Sequence, residues 1–194
     1  SLVAVVPDRV EPLQLARLRR TISRCLCESR PRKIEMNQRS AQESQTVLSA
    51  FMQPEHANAQ GNVHGGWIMK LVDEAGALAA MRHCHHPCVT VAIDSMTFDA
   101  PVLVGDLLIL EACVTYVGRS SIESMVTVYA EKILTGQRTI TNTAFVVYVA
   151  LDEQRRPTEV APLLLASEQE KRRFEQGRAR QQERLARARR HQES

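Results

Sequence analysis

Apolar positions along this chain fall into two regimes that meet at Pro87. From Trp67 to Met81 nearly every residue is apolar and only Lys70, Asp73 and Glu74 interrupt, which predicts a helix covered on almost all of its faces. It is too short and too broken by charge to cross a bilayer. Just upstream, Asn58, Gly61 and Asn62 are loop formers, and His64-Gly65-Gly66 frees the backbone for a close approach at the helix start. Beyond Pro87 the period changes. Runs rich in Val, Ile, Thr and Tyr, at about residues 89–98, 107–116, 122–132 and 139–151, read as long strands. Gly105-Asp106, Gly118-Arg119-Ser120-Ser121 and Gly136-Gln137 punctuate them, and such short connections make neighbouring strands antiparallel. One more strand, Thr46 to Met52, precedes the helix and ends before Pro54.

These elements predict an α+β domain in which a five-stranded antiparallel sheet curls around one long apolar helix. Such a sheet keeps open edges and the helix shows one side, so pairing with a second copy is expected. The domain is assigned to residues 45–164. Residues 1–44 form an N-terminal extension, expected to be flexible or non-native in part, with Leu13, Leu15, Leu18 and Ile22 at loosely helical spacing among arginines. Residues 165–194 form a charged helical or disordered tail. Phe174 and Leu185 are almost its only large apolar side chains after Leu165, which gives no continuous heptad seam. Truncation after Ala166 is therefore expected to be harmless.

Charge refines this division. The formal net charge of +3 is the sum of +4 over residues 1–35, −5 over 36–164 and +4 over 165–194. The basic balance thus belongs to two tails on an acidic core, and no nucleic-acid partner is expected. Five cysteines, odd in number and irregularly placed, suit a reducing, cytoplasmic setting better than a disulfide framework. The apolar residues 2–6 are followed by Pro7, Asp8 and Arg9, too short a stretch and wrongly flanked for a signal peptide. His83-Cys84-His85-His86-Pro87-Cys88 packs many metal-ligating side chains together but lacks a second ligand pair, so it reads as a helix-to-strand loop.

The helix start offers acyl chemistry. Its first N–H groups lack intrahelical partners and lie at the positive end of the helix dipole, so the Gly65-Gly66 region can polarise a carbonyl oxygen. Asp73 follows two turns later among apolar neighbours, a suitable place for a general base. On spacing alone, the competing reading is that Lys70, Asp73 and Glu74 are merely the solvated edge of the helix.

Five stretches, taken in order, decide between these. Asn58-Ala-Gln-Gly-Asn-Val-His64-Gly-Gly, Trp67-Ile-Met, Asp73-Glu-Ala-Gly, Phe98-Asp-Ala-Pro-Val-Leu-Val-Gly105-Asp106 and Tyr116-Val-Gly-Arg-Ser-Ser121 resemble the hotdog-fold acyl-CoA hydrolases, both bacterial acyl-CoA thioesterases and brain-type cytosolic ones. The resemblance covers about residues 45–162. It implies hydrolysis of acyl-CoA to fatty acid and CoA, with Asp73 as catalytic acid residue and Asn58 facing it from the other subunit of a homodimer. It further implies Gly65 and Gly66 at the thioester carbonyl, Gly118, Arg119, Ser120 and Ser121 at the CoA moiety, and a trimer of dimers. His64 has no assigned role, since relatives carry Phe as well as His there. Asp73 acts on water as general base or attacks directly to form a transient anhydride. Neither route needs a metal or organic cofactor. Two rivals share the fold: a non-catalytic acyl-CoA-binding regulatory module, which retention of Asn58 and Asp73 disfavours, and a dehydratase, for which no His/acid pair is placed.

Overall fold

The apolar run after His64 forms a single helix, and the β-rich remainder forms one sheet laid against it. The computed structural model describes residues 37–192. In chain order they form β1 (Arg39–Ser40), α1 (Ala41–Ser44), β2 (Thr46–Phe51), α2 (Gly65–Cys84), β3 (Cys88–Phe98), β4 (Leu107–Val117), β5 (Ser121–Lys132), β6 (Gln137–Ala150), β7 (Leu163–Leu164) and α3 (Glu168–Gln192), with a 3-10 turn at Pro54–His56. The main sheet has the order β2-β4-β5-β6-β3 and is antiparallel throughout. This is the expected hotdog arrangement of five strands around one helix, and a C-terminal helix is added to it.

Helix α2 buries Ile68, Leu71, Val72, Ala75, Gly76, Ala79 and Ala80, a stripe at three- and four-residue spacing that packs on the sheet. Small residues in the second half of the stripe let the strands come close. At Gly76 an added Cβ would lie 2.4 Å from the Tyr148 hydroxyl oxygen, so only glycine fits there. Ser124 Oγ donates to the Gly76 carbonyl at 2.9 Å from the neighbouring strand. The other side of α2 stays open, with Trp67, Met69 and Leu78 exposed. The expected wrapping is therefore half complete within one subunit. Strand β3, at the sheet edge, has no fully buried residue, and Val89, Val91, Ile93 and Phe98 are exposed along it. An apolar edge of this kind is a surface for another strand.

Gly105-Asp106 serves the fold. Gly105 takes φ 90°, and the buried Asp106 carboxylate accepts from the Leu103 N–H at 3.0 Å and from Lys132 Nζ at 2.6 Å, closing the turn into β4.

Both ends of the described chain pack on the domain, the C-terminal one as the expected charged helix. Residues 39–44, assigned to the extension, belong structurally to the domain. β1 pairs in parallel with β7, Arg39 donates to the His83 carbonyl at 2.7 Å, and buried Ser44 accepts from the Val114 N–H at 3.2 Å. What was expected of residues 1–36 lies outside the described residues. The tail, for its part, is a helix docked on the outer face of the sheet. Its inward positions are Arg173, Phe174, Gly177, Arg180, Gln181 and Arg184, a helical stripe that is mostly polar. Phe174 packs on Tyr116 with ring centroids 4.9 Å apart and planes tilted by 44°, and a Cβ on Gly177 would meet Tyr116 at 2.5 Å and Glu123 at 2.8 Å. Arg180 grips the buried carboxylate of Glu123 with two hydrogen bonds, at 2.7 and 2.9 Å, and Arg184 pairs with Asp94. Harmless truncation after Ala166 does not fit this packing.

Candidate active site

Asp73 sits on the flank of α2, half-buried, next to the helix stripe that packs on the sheet. Thr90 and Tyr148 are directly paired across β3 and β6, so their side chains leave the sheet on the same face, toward the helix. Thr90 Oγ1 donates to Asp73 Oδ1 at 2.7 Å. The Tyr148 hydroxyl, admitted by the missing side chain at Gly76, donates to the Asp73 carbonyl at 2.9 Å and reaches Oδ1 at 3.4 Å. Burial first, and then the Asp73 carboxylate, raise the Tyr148 phenol above its ordinary range, so it keeps its proton and remains a donor. One carboxylate oxygen is thus engaged by two hydroxyls, while no donor is recorded for Oδ2 among the described residues.

Thr90 and Tyr148 are functional candidates that sequence reasoning missed. A glycine in the middle of an otherwise bulky helix was the available signal, because such a residue marks a close approach by another group.

Asn58 stands apart from this cluster. Its Oδ1 accepts from the backbone N–H groups of Gln60, at 2.9 Å, and Asn62, at 3.2 Å, shaping its own loop. The side-chain amide N–H groups remain as donors, and no hydrogen bond joins Asn58 to Asp73 among the described residues. At the helix start, the exposed His64 caps α2: its Nδ1 accepts from the Gly66 N–H at 2.9 Å. The Gly65 N–H has no recorded acceptor among the described residues.

The Gly118-Arg119-Ser120-Ser121 turn is fixed by its own carbonyls. Ser121, Ser120 and Arg119 accept from the N–H groups of Gly118, Ala150 and Val160 at 2.8, 2.9 and 2.9 Å, leaving the Arg119 side chain exposed. Ile122, the next residue, pairs with Tyr148, which pairs with Thr90. The turn therefore ends one residue short of the row that carries the cluster, about two strand spacings or roughly 10 Å across the sheet.

Within one subunit the Asp73 cluster is not enclosed. A cleft of about 420 Å³ lies on the outer sheet face, bordered among others by Val47, Glu111, Met125 and Arg173. A depression of about 360 Å³ lies at the helix start, bordered by His64, Gly66, Trp67 and Lys70.

Residues 60–137 match the model of the Thioesterase superfamily. The acyl-CoA thioester hydrolase YkhA of Bacillus subtilis is 35% identical over 132 residues, covering 68% of this chain and 77% of that protein. The chain belongs to the hotdog-fold acyl-CoA thioester hydrolases. Human cytosolic acyl coenzyme A thioester hydrolase is 34% identical over 142 residues, which are 69% of this chain but 37% of that longer protein. An apo hexameric acyl-CoA thioesterase superposes with a TM-score of 0.74 at 38% identity, covering 78% of this hotdog hydrolase and 97% of that chain. An acyl-CoA hydrolase of Staphylococcus aureus, solved with butyryl-CoA, CoA and CoA disulfide, gives 0.74 at 28% identity over 80% of this chain and 95% of that one. It has also been solved with alanine replacing an asparagine, an aspartate and a threonine. Their spacing equals that of Asn58, Asp73 and Thr90 in this hotdog hydrolase.

Proposed function

We propose that this protein hydrolyses acyl-CoA thioesters to a free acid and CoA at a site shared by two subunits. The observation that carries the reading is the Asp73–Thr90–Tyr148 cluster, whose aspartate and threonine fall on the spacing probed by substitution in the Staphylococcus aureus enzyme. Asp73 Oδ2 takes a proton from the attacking water while Thr90 and Tyr148 hold Oδ1. Asn58 of the partner subunit orients that water or the thioester carbonyl. The developing oxyanion is received at the start of α2, where the His64 ring marks the place of an acceptor. His64 is exposed and held there by a single hydrogen bond, so a substrate carbonyl can replace it on the Gly66 N–H and draw also on Gly65.

Assembly follows from the surfaces left open. The apolar edge of β3 and the uncovered side of α2 with Trp67, Met69 and Leu78 suit pairing with a second copy, and three such dimers make the hexamer seen in relatives. A cytoplasmic setting is supported by the cysteine usage and by the cytosolic relative. Among the described residues no helix is long and apolar enough to cross a membrane.

Thiol release from a panel of acyl-CoAs tests the activity, and mixed subunits test the shared site. Asn58→Ala and Asp73→Ala proteins, each inactive alone and refolded together, should recover roughly a quarter of wild-type activity, because half of randomly formed dimers carry one intact site of two. No recovery despite proven mixed dimers would place a complete site within each subunit.

Arg119 is assigned to the CoA phosphates. Its backbone carbonyl, not its side chain, holds the turn, so Arg119→Ala should leave the turn intact. The expected result is a raised KM for acyl-CoA with kcat little changed, since binding remote from the reacting carbonyl is largely uniform. An equal loss with acyl-pantetheine, which lacks the nucleotide phosphates, would remove Arg119 from that role.

A further inference from the structure

The segment from His83 to Cys88 does not converge on a metal: among the described residues no three ligating side chains come together. His83 turns inward, with Nε2 2.9 Å from the Ala161 carbonyl, and His85 takes the left-handed conformation that ends α2 at φ 56°. With Pro87 this folds the chain back on itself. The last residue of α2 and the first of β3 are thereby brought together, and Cys84 Sγ lies 3.4 Å from Cys88 Sγ. Both thiols are free, and Cys84 Sγ also accepts from the His86 N–H at 3.4 Å.

We propose that Cys84 and Cys88 are a reversible oxidation site, at which a hydroperoxide converts the thiol pair into a disulfide that ties the end of α2 to the start of β3. The bond would join the helix carrying Asp73 to the strand carrying Thr90, at a second point beyond their hydrogen bond. Closing the pair takes the sulfurs from contact distance to a bond of about 2 Å, within reach of side-chain rotation across so short a turn.

The two thiols are differentiated for this chemistry. Cys84 is pulled down, chiefly by the Cys88 thiol hydrogen-bonded to its sulfur, with burial opposing and the His86 N–H assisting. Cys88 is pushed up by that same hydrogen bond and by burial, and keeps its proton. The Cys84 thiolate attacks one peroxide oxygen and the O–O bond breaks. Hydroxide departs and leaves as water after protonation, giving Cys84 sulfenic acid. The Cys88 sulfur then loses its proton and attacks the Cys84 sulfur, expelling the sulfenic oxygen as a second water. Two electrons pass from the sulfurs to the peroxide, and two thiols become one disulfide. Cys84 is only 6% exposed, which favours an oxidant the size of water over a bulky disulfide. Cys113, raised by burial, has no second thiol beside it among the described residues and serves as an internal control.

The test uses the full reduced chain, treated with hydrogen peroxide, quenched, unfolded and alkylated with N-ethylmaleimide. The peptide holding Cys84 and Cys88, cleaved apart from Cys113, should be lighter by two hydrogens and take up no label, and dithiothreitol should restore both labelling sites. In Cys88→Ser the reaction should halt at Cys84 sulfenic acid, which dimedone traps. Peroxide that leaves Cys84 and Cys88 as freely labelled as Cys113, or that links either to a different cysteine, would overturn the proposal. The wild-type peptide decides the matter even if the variant does not fold.

Discussion

Asp73→Asn should lose ~10²–10⁴-fold in turnover while keeping its fold and its affinity for CoA. The geometry explains why the two effects separate. Thr90 donates to Oδ1 at 2.7 Å, with the Tyr148 hydroxyl oxygen 3.4 Å from it, and an asparagine placed in the same rotamer offers its carbonyl oxygen to the same threonine. What changes is the second oxygen, replaced by an NH₂ that cannot take a proton from water. The Tyr148 bond to the residue 73 backbone carbonyl is untouched, so helix and sheet stay docked. A melting temperature near that of wild type together with thiol release lowered by that factor is the expected pair of readings. Full hydrolysis by this variant would take Asp73 out of the chemistry, whatever the family. Thr90→Val provides a graded comparison: it removes the closer donor and leaves the base, so turnover should fall less than in Asp73→Asn.

The parts of this fold that follow a period were legible in the sequence. The five strands lie within two residues, and α2 within three, of where apolar patterning put them, because each element buries a regular stripe. Asn58, Asp73, the helix-start glycines and the 118–121 turn were named as candidates from local motif chemistry and resemblance. Thr90 and Tyr148 were not. They meet Asp73 only because β3 and β6 are neighbours at opposite ends of a crossover, and nothing local to Thr90 or Tyr148 marks that register. The Cys84–Cys88 contact was hidden for a different reason. The segment was weighed as a metal site or a loop, and the left-handed turn at His85 that brings the sulfurs together is a single-residue feature. The docking of α3 failed to show because its inward stripe is Phe174, Gly177, Arg180 and Arg184. A search for apolar periodicity sees one candidate in that set.

Removing the grip of that helix should be the largest change in stability reachable from outside the core. Arg180→Ala is expected to cost about 3–5 kcal/mol, the usual penalty for orphaning one member of a buried ion pair. Glu123 is the member left behind: its side chain is 1% exposed, lies near the start of β5 and accepts from Thr115 Oγ1 at 2.7 Å as well as from Arg180. Thr115 alone cannot replace a bidentate guanidinium. Arg180 also covers the Phe145 ring at 3.8 Å, so the alanine variant loses packing along with charge. Truncation after Ala166 should also destabilise the domain, though by another balance. It lets water reach Glu123, which reduces the electrostatic cost, but it uncovers Tyr116 and Phe145 and breaks the Arg184–Asp94 pair. Paired replacement of Glu123 and Arg180 by apolar residues of similar volume should recover much of the Arg180→Ala loss, since no charge is then left buried alone. Thermal unfolding at matched protein concentration measures all three, and a shift of roughly 10 °C is expected for Arg180→Ala. If the truncated chain and Arg180→Ala both melt with the full-length protein, α3 is an appendage and the buried Glu123 finds its partner elsewhere.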